Sequence, residues 1–241
     1  TGDARLRQVA ISLQKDLPDM AFDSLDGRVG WSRDKDGHSF FVEKLRFKRP
    51  GAAVADPASL RISLTPDGRG GFARIGATAS NLRLEAFTAL TGALPLPRRG
   101  HDLIEALNPR GLVESAEAHW GGGGDYSLKA RLREGGAQAY KDFPGFSGLS
   151  ARIQASQDGG NIDLEGGSPT LDWPQVFRES LGFTRLDASV AWKIQDRGIR
   201  LDFELDRIVN ADLDGMAEGW IDLPNAGPPQ VDIRAHLRHG E

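Results

Sequence analysis

Ile199-Arg200-Leu201-Asp202-Phe203-Glu204-Leu205-Asp206 puts an apolar side chain at every odd position and a charge at every even one. Successive side chains of a strand point to opposite faces, so this octet has one dry face and one wet face. Parallel sheets are covered on both sides and read as unbroken apolar runs. One-sided alternation therefore points to antiparallel pairing. Val231 to Arg238, Tyr126 to Arg133, Leu60 to Leu64 and Leu149 to Ala155 obey the same rule. Asp36-Gly37, Pro66-Asp67-Gly68, Asp158-Gly159-Gly160, Asp196-Arg197-Gly198 and Asp214-Gly215 supply residues that tolerate turn geometry between such runs.

A longer pattern occurs twice. Leu25-Asp26-Gly27-Arg28-Val29-Gly30-Trp31, followed by Gly37, has the register of Leu186-Asp187-Ala188-Ser189-Val190-Ala191-Trp192, followed by Gly198. The spacing predicts roughly a dozen strands, more than a strongly twisted open sheet holds without curling. The expected fold is mainly β: one long, strongly curled antiparallel sheet forming an open apolar trough, with a few short helices. Residues 1–241 read as a single elongated segment. Because the pattern is already under way at Thr1-Gly2-Asp3, the segment is expected to be a piece of something longer.

Two stretches break the β rhythm. From Leu84 to Leu107 the apolar spacing turns helical, with Gly92 and Pro95 interrupting it and Asn108-Pro109 ending it. Trp173 to Leu181 is expected to be a short helix, since Pro174 suits a first helical turn and Gly182 a C-terminal stop.

Composition narrows the function. The 241 residues suffice for a real core, yet only 39% are hydrophobic and the net charge is −4. Basic and acidic residues are interspersed, which argues against a nucleic-acid stripe or a polybasic membrane patch. Without cysteine there are neither disulfides nor thiolate metal sites. No apolar run approaches the roughly 20 residues of a transmembrane helix, and the chain opens on no signal peptide.

Candidate chemical motifs dissolve on inspection. Asn210-Ala211-Asp212-Leu213-Asp214-Gly215 copies the first half of a calcium loop, but Ile221 stands where the bidentate Glu belongs, so a turn between strands is the better reading. His236 and His239 fall on opposite strand faces, and His38, His101 and His119 are scattered. The run Gly121 to Gly124 lacks the Lys-Ser/Thr of a phosphate loop, and no Gly-x-Ser-x-Gly elbow occurs. Carboxylates such as Asp202, Glu204 and Asp206 sit where solvated charges belong. The expectation is a protein that is not an enzyme, with no catalytic residue, metal or cofactor.

The order of the motifs carries a resemblance. After Leu25 to Trp31 come Leu94-Pro95-Leu96-Pro97, then Leu107-Asn108-Pro109-Arg110-Gly111 leading to Trp120-Gly121, then Pro144 to Leu149. Asp172-Trp173-Pro174-Gln175-Val176-Phe177, Val190-Ala191-Trp192, and Asn210-Ala211-Asp212 with Asp222-Leu223-Pro224 follow. From about Ser24 to the last strand the chain resembles the central part of the YhdP branch of the AsmA-like envelope proteins, relatives of TamB. The resemblance implies a periplasmic segment of a protein anchored in the inner membrane. It also implies an apolar trough that conducts phospholipids toward the outer membrane. The segment is therefore expected to be a piece without the anchor and much shorter than a full bridge, and the resemblance implies no catalytic residues to carry over.

Alternation names the expected groove lining: Val29, Trp31, Leu128, Leu132, Ile153, Val190, Trp192, Leu201, Phe203, Leu205, Ile233 and Leu237. The expected partners are phospholipid acyl chains and, at exposed edge strands, neighbouring segments of the same protein. The competing reading is a closed β-sandwich that binds or adheres to a carbohydrate or protein ligand, since a second sheet could cover the dry face equally well.

Overall fold

A computed structural model describes residues 1–12, 15–35, 37–69, 71–93, 98–141, 143–175 and 177–240. The chain is mainly β and antiparallel, with its sheet left open rather than closed into a barrel. That is the expected class. The motif Leu94-Pro95-Leu96-Pro97 lies outside the described residues. Two compact units divide the chain, Thr1–Gly123 and Gly124–Glu241.

The first unit is a meander of β1 (Gly2–Ile11), β2 (Met20–Asp34), β3 (Gly37–Lys48), β4 (Ala58–Pro66), β5 (Phe72–Arg83) and β6 (Arg110–Gly121). Each strand pairs antiparallel with its predecessor. In the second unit β7 (Tyr126–Ala137), β8 (Gly145–Ser156) and β9 (Gly159–Leu164) precede the short pair β10 (Thr170–Asp172) and β11 (Leu181–Gly182). After these come β12 (Arg185–Gln195), β13 (Gly198–Val209), β14 (Leu213–Pro224) and β15 (Gln230–Gly240). β12 takes its place beside β9, while β10 pairs with the first residues of β8, where β9 has stopped.

Within each unit the two strand-end rims differ. In the first, the short β2–β3 and β4–β5 links lie at one rim, whereas the other carries the longer links β1–β2, β3–β4 and β5–β6. In the second, tight turns at 157–158, 196–197 and 225–229 oppose connections at 138–144, 165–184 and 210–212. Strand irregularities gather toward the elaborated rim. Gln8, Lys44, Asn81 and Glu134 have positive φ there, and pairing registers slip at Val42/Leu45, Leu132/Gly135, Leu205/Ile208 and Asp214/Gly215. A bulge bends its strand and strengthens local twist, so each unit carries a bending line along that rim.

The helical stretch expected near 84–107 is α1 (Leu84–Thr88), a single 3-10 turn at Thr91–Ala93, and α2 (Arg98–Leu107). Phe87 and Leu90 cross over the end of the sheet and bury Phe22 and Phe47. The rings of Phe22 and Phe47 meet edge-on at 5.6 Å, and those of Phe47 and Phe87 at 5.8 Å. The helix expected over 173–181 does not form among the described residues. One hydrogen bond, Phe177 N–H to Trp173 O at 2.9 Å, closes a single turn. Leu181 then pairs with Leu171 in β10. An isolated turn is unfavourable without propagation, and strand pairing at Leu181 requires extended backbone.

Candidate functional site

Residues directly opposite in antiparallel strands share a face, so the registers sort every side chain. In the second unit one row runs Ile153, Ile162, Val190, Phe203, Gly219 and Ile233. The next runs Ala155, Gly160, Trp192, Leu201, Ile221 and Val231, and a third Ala151, Leu164, Ala188, Leu205, Ala217 and Ala235. Leu128 stands opposite Ala155, Leu132 opposite Ala151, and Leu237 opposite Gly215. All these positions lie on one apolar face. The first unit repeats the arrangement, with Val29, Val42, Leu60, Ala79 and Ala116 in one row and Trp31, Phe40, Ile62, Ala77 and Ala118 in the next.

The structure thus places each of the twelve proposed lining residues on the apolar face of its own unit: Val29 and Trp31 in the first, the rest in the second. Sequence reading missed others on the same faces. Phe40-Phe41-Val42 is a run of three apolar residues, from which alternation cannot choose a face. Pairing puts Phe40 and Val42 on the apolar side and Phe41 on the polar side. There the Phe41 ring stacks under the Arg61 guanidinium at 4.6 Å. Trp120 follows a stretch of small residues and precedes the glycine run, so its alternation was weak. It joins Ile75, Leu64 and His38 in a third row of the first unit.

This face is left uncovered over much of its area. Trp31 is 54% exposed and Trp120 48% in the first unit, Ile233 56% and Leu237 65% in the second. Among the described residues, the buried apolar side chains of the second unit are Ala151, Ala188 and Pro169. Among the described residues, a large apolar cluster closes at the elaborated rim of the first unit, under Phe87 and Leu90. The sheet of each unit is a single layer. The sandwich reading needs a second sheet over the dry face, and none occurs among the described residues of either unit; β10, which pairs with β8 past the end of β9, stays within the same sheet. Scattered apolar residues on a surface need no explanation, but a contiguous patch of this kind marks a site that something else covers.

The opposite face is polar and internally paired. Arg200 reaches Asp202 at 3.1 Å and Asp222 at 3.2 Å while stacking over Trp220 at 4.5 Å. Glu165 accepts from Arg152 at 2.7 Å and Arg131 at 3.2 Å. A cavity of about 540 Å³ opens among Asp163, Asp202, Glu204, Glu218, Asp232 and Arg234. Among the described residues no three His, Asp or Glu side chains converge as metal ligands. The segment that mimicked a calcium loop is the β13–β14 turn, where Asn210 Oδ1 accepts the Asp212 N–H at 2.9 Å. Asp67 carries a shifted carboxyl. Its oxygen accepts backbone N–H groups of Arg69 and Gly71, which hold its pKa below the ordinary value.

Among the described residues, each unit is thus an antiparallel sheet with one apolar face left largely open. The whole chain, residues 1–241, matches the family described as YhdP protein, and the chain belongs to that family. No curated protein and no solved structure is similar to it.

Proposed function

We propose that this chain is a periplasmic segment of an inner-membrane-anchored bridge that conducts phospholipids toward the outer membrane along its apolar face. One observation carries the reading: large apolar side chains stand in register on one sheet face and remain open to solvent. Family membership supports it.

The physics suits a conduit better than a receptor. Each methylene withdrawn from water is worth roughly 0.8 kcal/mol, so an acyl chain binds firmly overall. Successive rows of the face are chemically alike, so moving from one to the next costs little. Among the described residues, charged side chains cluster on the far face, which leaves no headgroup clamp there to arrest sliding. Catalysis plays no part in this reading. Neighbouring segments of the same protein are its proposed partners at free strand edges.

Mass spectrometry of gently purified protein tests the proposal. Co-purified phospholipid that disappears in Val190→Asp and Phe203→Asp supports it. A lipid-free protein that selects a glycan would overturn it and return the binding-module reading.

A further inference from the structure

The apolar face of the first unit departs from its own rule at one place. Its outermost row, at the rim of the short links, runs Arg33, His38, Leu64, Ile75 and Trp120. Arg33 and His38 stand directly opposite each other, two residues beyond the Trp31–Phe40 pair, so they share the face of the apolar rows. The two rows inside theirs, from Trp31 and from Val29, are apolar throughout. The His38 ring stacks on Trp31, with centroids 5.9 Å apart and planes 15° from parallel. Among the described residues Arg33 and His38 have neither an ion-pair nor a hydrogen-bond partner, and no carboxylate shares these three rows.

The second unit shows that the fold does not require this pair. The pattern Leu25, Trp31, Gly37 recurs as Leu186, Trp192, Gly198, and in the same register Ile194 stands for Arg33 and Ile199 for His38. Ile194 and Ile199 are again directly opposite, on the apolar face. Both turns carry charges of their own, Asp34-Lys35-Asp36 and Asp196-Arg197, so the pair on the face is what differs in kind. An apolar pair satisfies this backbone position, and a guanidinium and an imidazole placed there serve something other than packing. A guanidinium matches phosphate with paired hydrogen bonds, and tryptophan is enriched where an apolar layer gives way to headgroups. Inward along β2, Trp31, Val29 and Leu25 lead to the cluster under Phe87 and Leu90. Six residues of strand span about 20 Å, enough for a chain reaching about 15 Å, half of a bilayer's hydrocarbon core.

We infer that Arg33 and His38 are the headgroup end of a lipid site on the first unit: the lipid phosphate accepts hydrogen bonds from the guanidinium and the imidazole, and its acyl chain lies inward across Trp31, Phe40, Val29 and Val42. The inference rests on the proposed conduction of phospholipid and adds an orientation to it. Headgroups on this unit point to the rim of the short links, and chain ends to the closed rim. One pair at one rim orients a lipid without repeating from row to row, and Ile194 with Ile199 gives it no counterpart in the second unit.

Two photoreactive phosphatidylglycerols presented in vesicles to the whole chain test this, one with a diazirine on the headgroup and one with it at an acyl chain end. Peptide mass spectrometry maps the labels. Headgroup labels are expected on residues 31–40, and chain-end labels on 20–25 and 45–47. Arg33→Ile with His38→Ile copies the second unit and should lower headgroup labels on 31–40 about tenfold, the scale of losing a charge-assisted contact. Chain-end labels should persist there, which shows that the face is intact. Conversely, Ile194→Arg with Ile199→His should bring headgroup labels to 192–201. Excess glycerol 3-phosphate should leave every label unchanged, since it has no chain to lie on the face; competition by it overturns a lipid as the ligand. Headgroup labels that ignore both pairs of substitutions overturn the inference and leave conduction standing. Chain-end labels absent from both apolar faces overturn conduction and this inference with it, so the two failures are told apart.

Discussion

The indole of Trp192 lies across Gly160, its directly opposite partner on the neighbouring strand: a Cβ at Gly160 would stand 2.5 Å from Trp192 Cζ2 and 2.2 Å from the Gln154 carbonyl oxygen. Phe203 sits over Gly219 in the same way, 2.9 Å from where a Cβ would be. Both pairs belong to the apolar face. Glycine opposite an aromatic lets the ring lie flat along the sheet, which keeps the face smooth rather than studded. The same strands carry no covering layer, so these rings are the surface a guest would meet.

Gly160→Ala should therefore destabilise the protein by about 1–3 kcal/mol, the usual cost of forcing atoms into a packed site. Gly182→Ala, where a Cβ meets nothing within 4 Å, is the control. Urea midpoints compare the two, and the near-ultraviolet dichroism of Trp192 should change in the first variant alone.

Covered and uncovered apolar residues should differ sharply. Phe47→Ala removes a ring that is 4% exposed and should cost about 3–5 kcal/mol. Trp31→Ala removes one that is 54% exposed and should cost far less. Hydrogen exchange in β2 and β3 should rise strongly in the first variant and little in the second. Equal losses of stability would mean that the open face is covered in solution.

Glu204 and Glu218 stand directly opposite each other on the polar face. Like charges in that relation are destabilising, so Glu204→Gln should raise stability by roughly 0.2–1 kcal/mol. The gain should shrink as salt is added, because the repulsion is screened. Thermal melts at low and high ionic strength check both statements.

Asp67 gives a pH prediction with a definite sign. Its carboxylate is held ionised by the Arg69 and Gly71 N–H groups, so its folded pKa lies below 3.8. A depressed folded pKa stabilises fully above the unfolded value and loses that contribution as pH falls through the folded one. Side-chain carboxyl resonances should show Asp67 titrating below 3.8 in the native state, and Asp67→Asn should lower stability slightly at neutral pH and leave it unchanged at the acid end, which flattens the acid limb.

Alternation by itself determined which side chains share a face, because a period of two survives in sequence wherever strands run regular, as from Ile199 to Leu205. It also marked the tight turns, whose glycines and aspartates are local in their demands, and the helical interruption between Leu84 and Leu107. Tertiary structure decided the rest. Bulges at Lys44 and Glu134 reset the count mid-strand, and no local pattern announces them. Trp173 to Leu181 carried helix-like punctuation but yielded to strand pairing between Leu181 and Leu171, a partner ten residues away in sequence. Whether the dry face would be sealed or open depended on what packs against it. Among the described residues, Phe87 and Leu90, brought over Phe22 and Phe47 by the chain's return, close the part of it that is covered. Covering is a long-range relation between distant segments, and a one-dimensional pattern of polar and apolar residues holds no record of it.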